Sequence, residues 1–425
     1  MQMDQLLDRV TFPRIARARQ KFPARKPVDV EAEIERELSR PEIASKVKPG
    51  QSVAVASGSR GIASIQKITR AVVTQLKEMG AEPFIVPAMG SHGGATAEGQ
   101  VKVLAHLGIT EETVGAPIRS SMDVVRLGTS PSGVPVYFDK LANSADATVL
   151  INRVKRHTGF RGPVESGLLK MMTIGLGKER GANTVHDLGY ERFGDLIPEM
   201  GRCIVQHGNV IFGVATVENA QEEVAKIVAV EAHRIEEVER GLLIEATEMM
   251  PRILFPQLDV LVVQEIGKNI SGTGMDPNVT GRFIGYLGTS GSRAQRVVVL
   301  DLSEQTYGNS LGIGMADITT QRLVDKTDYQ VVYVNAMTSR SMDNAKMPMT
   351  LATDKQAIAA AIASCFGVEP GQHKVMFIQN TLKLEDVYIS SALLEEAQAR
   401  EDVDVLGELL DIPFDVSGTL CLPFE

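Results

Sequence analysis

Short runs of almost continuous hydrophobic residues recur along the chain and alternate with segments whose hydrophobic residues lie three or four positions apart. The run 51–57 predicts a buried strand, and the segment 62–79 predicts an amphipathic helix that ends at Gly80. The run 82–87 predicts the next strand. This order of strand, helix and strand is typical of a parallel α/β sheet.

The same alternation continues to the end of the sequence. Further strands are predicted at 124–127, 134–138, 147–153, 209–217, 258–264, 296–302, 329–334 and 374–378, and helices within 224–250 and at 315–325, 355–366 and 388–398. We therefore predict an α/β protein of two α/β domains with mainly parallel sheets and an active-site cleft between them. A glycine-rich loop follows the run 258–264, and we place the boundary there, giving an N-terminal catalytic and cofactor domain at 1–270 and a C-terminal α/β domain at 271–425.

Composition narrows the classes of function. The 425 residues are enough for two cores, and 44% hydrophobic and 23% charged residues are ordinary for a globular protein. A net charge of −9 argues against nucleic acid and anionic membrane as partners. No apolar run is long enough to span a bilayer, and the charged first residues differ from a signal peptide. Cys203, Cys365 and Cys421 lie too far apart for a metal-ligand motif or a disulfide framework, which favours a cytoplasmic setting.

The stretch 157–186 has the most unusual composition in the chain. It begins and ends with histidine, although the whole sequence has only seven, and glycines recur at 159, 162, 167, 175, 177 and 181. Glycines let a backbone approach a bound group closely, so a glycine-rich loop that binds a small anion is one interpretation. A surface loop with solvated charges is the other. Lys170, between Leu169 and Met171, is either a desolvated nucleophile or a lysine whose stem covers apolar surface.

Three further residues follow predicted strands. Arg60, in Gly-Ser-Arg-Gly, lies at a strand-to-helix turn, where it forms an anion site or is simply an exposed turn arginine; the spacing is not that of a phosphate-binding P-loop. His92 follows the run 82–87, where ligands of α/β folds bind, and is either an acid–base group or a structural histidine. Lys268, in the loop after 258–264, is a substrate contact or a loop charge.

Taken together, His92, His157, Lys170, His186 and Lys268 resemble the site of the nickel-dependent lactate racemase family, over most of the chain and most clearly in its first two-thirds. The resemblance implies that Lys170 is joined covalently to a nickel-pincer nucleotide and that His186 is a metal ligand to the nickel. It also implies that His92 and His157 are the catalytic histidines.

The resemblance extends to the residues that meet the substrate and the cofactor. It implies that Arg60 and Lys268 contact the substrate. Ser57 stands where the family often has an aspartate, three residues before that arginine, and we count Ser57 among the cofactor-binding residues.

Two departures from the family bear on the substrate. The segment between His157 and Lys170 is longer, with Arg161, Pro163 and Glu165 added, and the chain has no tryptophan. We therefore expect racemisation or epimerisation of a 2-hydroxy acid other than lactate, by reversible hydride transfer from C2 to the cofactor.

Two other functions remain open: a lyase or aldolase that forms a Schiff base on Lys170, and a small-anion binding protein without catalysis. The expected partners are a small 2-hydroxy acid and the proteins that make the cofactor. The oligomeric state is open.

Overall fold

The computed structural model of the protein describes residues 3–23, 25–59, 61–283 and 291–424, so that Arg60 lies outside the described residues. The strands are β1 (Ile15–Gln20), β2 (Ser52–Ser57), β3 (Glu82–Pro87), β4 (Val124–Thr129), β5 (Pro135–Asp139), β6 (Ala147–Arg153), β7 (Val210–Glu218), β8 (Val224–Glu231), β9 (Gln257–Ile266), β10 (Arg293–Leu302), β11 (Ile318–Thr320), β12 (Met349–Leu351), β13 (Val375–Ile378), β14 (Asp386–Ser390) and β15 (Val403–Leu410). The helices are α1 (Met3–Leu7), α2 (Val30–Leu38), α3 (Pro41–Ala44), α4 (Ile65–Glu78), α5 (Ala97–His106), α6 (Glu111–Val114), α7 (Lys140–Ser144), α8 (Leu168–Lys170), α9 (Lys178–His186), α10 (Phe193–His207), α11 (Ile235–Met249), α12 (Pro277–Thr280), α13 (Gln321–Lys326), α14 (Tyr329–Thr338), α15 (Asp354–Ala363) and α16 (Leu394–Gln398).

The chain forms two compact units. The central unit is Pro23–Met250, and the terminal unit combines Met1–Phe22 with Pro251–Glu425. The division at residue 270 expected from the sequence differs from this one, because β9 pairs in parallel with both β10 and β13 and so belongs to the sheet of the terminal unit. The predicted cleft between two domains stays a prediction.

The central unit contains a five-stranded sheet in the order β3-β2-β6-β7-β8. β3, β2, β6 and β7 are parallel, and β8 is antiparallel to β7. Ser57 at the end of β2 is in register with Pro87 at the end of β3, so the loops that follow these strands leave the same edge of the sheet. β4 and β5 form a separate antiparallel pair. A core of aliphatic residues from α2, α4 and the sheet buries one face of the strands.

The terminal unit contains an eight-stranded sheet in the order β12-β11-β10-β9-β13-β14-β1-β15. The five strands from β12 to β13 are parallel, and β14, β1 and β15 add three antiparallel pairings at the other end. Its own hydrophobic core includes Val260, Val298, Ile358 and Phe377. Both units are therefore α/β with mainly parallel sheets, which confirms the predicted fold class.

Several elements of the terminal unit differ from the sequence prediction. The predicted strand 329–334 is wrong, because this segment lies in helix α14, whose first amides at Gln330 and Val331 donate to the Asp328 carboxylate. The predicted helix 315–325 begins only at Gln321, since the preceding residues form β11. Likewise, the predicted helix 388–398 begins as strand β14. In the last two cases the pairing with distant strands overrides the local pattern.

Across the part of the chain that the structure describes, none of the helices combines the length and the apolar character that a membrane span requires.

Candidate active site

Ser57 lies at the carboxyl end of β2, next to the end of β3. Its carbonyl accepts a hydrogen bond of 2.7 Å from the amide of Ala88, which fixes the start of the loop that carries His92. The Ser57 side chain is fully buried, and its hydroxyl has no hydrogen-bond partner among the described residues. A buried hydroxyl without a partner costs free energy, so this position favours a bound polar group nearby.

The loop after β3 holds His92. Gly90 adopts a positive φ of 60°, and its amide donates to the carbonyl of Gly175 at 3.1 Å, so the His92 loop packs on the segment that follows Lys170. The Gln100 side-chain amide donates to the carbonyls of Gly90 (2.8 Å) and His92 (3.3 Å). The Nδ1 atom of His92 is hydrogen-bonded to the Ser59 hydroxyl. Thr96 caps the following helix, and its side chain accepts from the amide of Gly99.

Lys170 ends the single turn of α8 and is followed at once by a π-helical turn, Met171–Gly175. The glycine-rich loop predicted at 157–186 is confirmed up to residue 167 and wrong beyond it, because residues 168–186 are mostly helical. π-helical turns inside helices occur frequently at functional sites. Gly175 has to be glycine because a Cβ would lie 2.6 Å from the carbonyl oxygen of Ala88. The glycines therefore permit close packing of the Lys170 segment on the His92 loop.

A half-buried side chain, Asn152, and a fully buried one, Glu239, hold the residues just before Lys170. The Asn152 side-chain amide donates to the carbonyl of Gly167 at 2.6 Å. A carboxylate oxygen of Glu239, on α11, accepts from the amide of Leu169 at 3.1 Å, and the amide of Leu168 also donates to this carboxylate. Burial raises the pKa of Glu239 to about 7, although these two amides oppose the shift.

Lys178 connects the Lys170 segment to the His92 loop from inside the central unit. It is fully buried, and its ammonium lies 2.9 Å from the Asp139 carboxylate and 3.1 Å from the side-chain carbonyl of Gln100. Burial lowers the pKa of Lys178, and the charge of Asp139 opposes that shift. Lys178 also begins α9, which ends at His186, so one buried ion pair supports both the His92 loop and the helix of His186.

A row of rings joins His157 to His186. The His157 ring lies 4.4 Å from that of Phe160, Phe160 lies 5.3 Å from Phe193, and Phe193 lies 5.2 Å from His186. Tyr190 packs on His186 and Phe193, and burial raises the pKa of its hydroxyl to about 12, so the phenol stays protonated near neutral pH. The two histidines thus lie at the ends of one aromatic cluster.

The added segment after His157 holds the backbone of that histidine. The Glu165 carboxylate accepts from the backbone amide of His157 at 2.6 Å. The Arg161 guanidinium donates to the backbone carbonyl of His157 at 2.7 Å. Burial raises the pKa of Glu165, with the hydrogen bond from His157 opposing. The amide of Gly159 donates to Nδ1 of the His157 ring at 2.8 Å. These contacts fix both the loop and the ring.

Lys268 lies in the terminal unit, in the loop after β9. Its ammonium donates to the carbonyl of Gly272 at 2.6 Å, and its amide donates to the hydroxyl of Thr306 at 2.9 Å. The central unit therefore contains Ser57, His92, His157, Lys170 and His186 of the predicted site residues, whereas Lys268 belongs to the other unit.

Sequence reasoning missed the supporting residues. Glu239 is one of several glutamates in an amphipathic helix, and Gln100 and Asp139 have no local signal. Lys178, inside the glycine-rich stretch, could have been suspected from its position. The supporting contacts are long-range, so a local pattern does not reveal them.

The residues around Lys170 fit the cofactor that the resemblance implies. The described residues contain no group of three or more His, Cys, Asp and Glu side chains that could hold a metal ion. A pincer nucleotide would bring sulfur and carbon donors of its own, so a single imidazole such as that of His186 would be enough to complete the ligands of a nickel ion. Ser57 offers a buried hydroxyl beside Gly58, where a Cβ would lie 3.2 Å from the methyl carbon of Met171. Met171, which follows Lys170 directly, therefore lies against the carboxyl end of β2.

The central unit is thus an α/β fold in which His92 follows β3, while His157 and Lys170 follow β6. Residues 12–191 match the family model described as the lactate racemase N-terminal domain. Over these residues the match confirms the predicted resemblance to the lactate racemase family, and it supports a racemase-type function in general.

A solved structure of a lactate racemase aligns with most of the chain. The lactate racemase apoprotein from Thermoanaerobacterium thermosaccharolyticum aligns at 14% identity and a TM-score of 0.46, covering 85% of this chain and 84% of that chain. None of the curated proteins compared with the chain matches it.

Proposed function

We propose that the protein is a racemase or epimerase of a 2-hydroxy acid that depends on a nickel-pincer nucleotide. The observation that carries the proposal is the direct packing of the Lys170 segment on the His92 loop, through the hydrogen bond from Gly90 to Gly175. The row of rings connects His157, the second proposed catalytic histidine, with His186, the proposed nickel ligand, inside the same unit.

Each predicted residue has a role in this proposal. Lys170 attaches the nucleotide, and His186 binds the nickel. When bound, the cofactor supplies the hydride acceptor, which no amino-acid side chain provides. His92 and His157 face the hydroxyl group, where an imidazole can take up its proton or donate a hydrogen bond to its oxygen. Arg60 and Lys268 hold the carboxylate and polarise the oxygen, since both side chains are cations that donate charge-assisted hydrogen bonds.

The proposal includes a substrate other than lactate and a cytoplasmic location. The added segment after His157 changes the wall of the site, because Arg161 and Glu165 are built into the His157 loop. A chain without tryptophan cannot close the site with an indole. Both features favour a different, larger 2-hydroxy acid. All three cysteines are free thiols, in keeping with a reducing compartment.

Cofactor attachment gives the direct test. Protein made together with the enzymes that synthesise the nucleotide should carry a sulfur-containing adduct on Lys170, seen by peptide mass spectrometry. Lys170→Ala should lose the adduct, and Lys102→Ala, on an exposed face of α5, should keep it. His186→Ala should keep the adduct but lose nickel, measured as metal per chain, because one ligand is removed while the others remain.

Two outcomes would count against the proposal. Full racemase activity in protein whose Lys170 is unmodified would remove the cofactor from the reaction. Trapping of a keto acid on Lys170 by borohydride would instead favour the Schiff-base lyase or aldolase, because only an imine is reduced to a permanent adduct.

A further inference from the structure

The two candidate acid–base histidines have different partners at the same ring nitrogen. Nδ1 of His157 accepts from the backbone amide of Gly159, whereas Nδ1 of His92 is paired with the hydroxyl of Ser59. A backbone N–H can only donate, but a serine hydroxyl can donate or accept. The hydrogen-bonding partner of Nδ1 decides which nitrogen of a neutral imidazole carries the proton. Nδ1 of His157 therefore has to accept, whereas Nδ1 of His92 can either accept or donate.

His157 is held as a neutral ring with its proton on Nε2. Protonation of Nδ1 would set two N–H groups against each other and break the bond from Gly159. The ring has little freedom to turn away, because it packs against Phe160 and its backbone is fixed by Glu165 and Arg161. A neutral ring of this kind can donate a hydrogen bond through Nε2 but cannot take up a proton there.

His92 has a partner that is compatible with both protonation states. When Nδ1 carries a proton, it donates to the Ser59 hydroxyl oxygen, and Nε2 keeps a lone pair that can accept a proton. The doubly protonated ring keeps the same bond, because Nδ1–H still donates to Ser59. Ser59 follows Gly58 directly at the end of β2, so the hydroxyl is fixed by the same strand end as Ser57.

We propose that Ser59 is a positioning residue that makes His92 the general base, and that Gly159 keeps His157 as a neutral Nε2–H donor to the substrate oxygen. This inference rests on the proposed racemase function. The hydroxyl proton moves to Nε2 of His92, whose Nδ1–H donates to Ser59, and later returns from the same atom. His157 gains and loses no proton.

A single base is sufficient for racemisation of this kind. The stereocentre is C2, which exchanges hydride, whereas the proton in question is on the hydroxyl oxygen. In the planar 2-keto acid the same oxygen atom belongs to both faces, and the orientation of the molecule decides which face of C2 receives hydride. A His92 ring that faces the oxygen would therefore serve as base and then as acid for both enantiomers, and His157 would polarise the same oxygen, as a neutral imidazole can.

The first experiment reads the ring states directly and needs no activity. In the full-length chain labelled with 15N-histidine, long-range 1H–15N correlation at neutral pH should show His157 protonated at Nε2 and unprotonated at Nδ1. His92→Gln and His157→Gln assign the signals. Ser59→Ala should shift both ring nitrogens of His92 and leave those of His157 unchanged, and Ser59→Thr, which keeps a hydroxyl, should restore the wild-type pattern.

The second experiment uses the holoenzyme with each enantiomer separately. His92→Gln should reduce kcat by about a hundredfold to ten-thousandfold in both directions, the usual cost of losing a general base. His157→Gln, whose amide can still donate a hydrogen bond, should retain more activity than His157→Ala. Ser59→Ala should lower kcat more than it raises KM, and Ser59→Thr should recover most of the loss.

Three results would overturn the inference: a proton on Nδ1 of His157, no change in His92 upon Ser59→Ala, or opposite enantiomer preferences in the two histidine variants, which would indicate one base for each enantiomer. The ring states are measurable even if the chain racemises nothing. A failure of the proposed function is therefore distinguishable from a failure of this assignment.

Discussion

At the scale of single residues, the buried ion pair of Lys178 and Asp139 stabilises the central unit beside the candidate site. Lys178 has a positive φ of 53°, which is costly for a residue with a side chain, and both charges are fully buried. Lys178→Met leaves the Asp139 carboxylate buried without its cation, so the free energy of unfolding should fall by about 3–5 kcal/mol. Chemical denaturation at neutral pH, monitored by circular dichroism, measures this loss.

A double substitution separates the charge from the packing. Asp139→Asn in the Lys178→Met background removes the second charge but keeps an oxygen that can accept from the amide of Ala142. It should recover part of the lost stability, whereas Lys140→Met, which removes an exposed ion pair, should change stability by less than about 1 kcal/mol. If the double variant is as unstable as Lys178→Met alone, the uncompensated charge is not the cause.

At the scale of elements, Glu239 on α11 joins that helix to the turn of α8 that presents Lys170. Its pKa is raised by burial from 4.5 to about 7, so the folded protein holds this proton more tightly than the unfolded chain. The stability contributed by the proton is fully present below about pH 4.5 and is lost as pH rises through about 7. The shift corresponds to about 3 kcal/mol, as an order of magnitude.

Glu239→Gln should therefore flatten the decrease in unfolding free energy between about pH 5 and pH 7, because the amide does not ionise there while its oxygen can still accept from Leu169. Denaturation series at several pH values measure the slope. Glu237→Gln, a side chain on the same helix with 75% exposure, should leave the slope as it is. An equal pH dependence in the wild type and in Glu239→Gln would show that other groups cause it.

At the scale of the whole molecule, the first strand of the chain, β1, belongs to a sheet whose other strands lie between residues 257 and 410. Ala18 in β1 is fully buried and pairs with Val387 of β14 and Val405 of β15. Ala18→Asp places an unpaired charge inside that sheet, so amide protection measured by hydrogen exchange should fall in β14 and β15. The central unit has its own core, and its strands should keep their protection.

Arg19→Ala provides the control on the same strand, because the Arg19 side chain is 47% exposed and forms an ion pair with Asp386. It should change the protection of β14 and β15 little. Equal loss of protection in β2 and β6 upon Ala18→Asp would show that the two units unfold together rather than separately.

The sequence by itself determined the elements whose signal is local. β3 and β6 were predicted to the residue, because both are continuous apolar runs bounded by polar or glycine-rich segments, as strands buried on both faces are. His92 and His186 were selected as two of only seven histidines, and Lys170 as a lysine in the stretch that His157 and His186 bracket; their roles stay predictions.

Only the tertiary structure decided the contacts that join distant parts of the chain. Strand β1 was missed because its partners lie more than 360 residues away, and α14 was mistaken for a strand because its β-branched residues form part of an exposed helix surface. Ser59 lies 33 positions from His92, and Glu239 lies 70 positions from Leu169. Hydrogen bonds of this kind depend on how the strands pair, and local hydrophobic patterns do not contain that information.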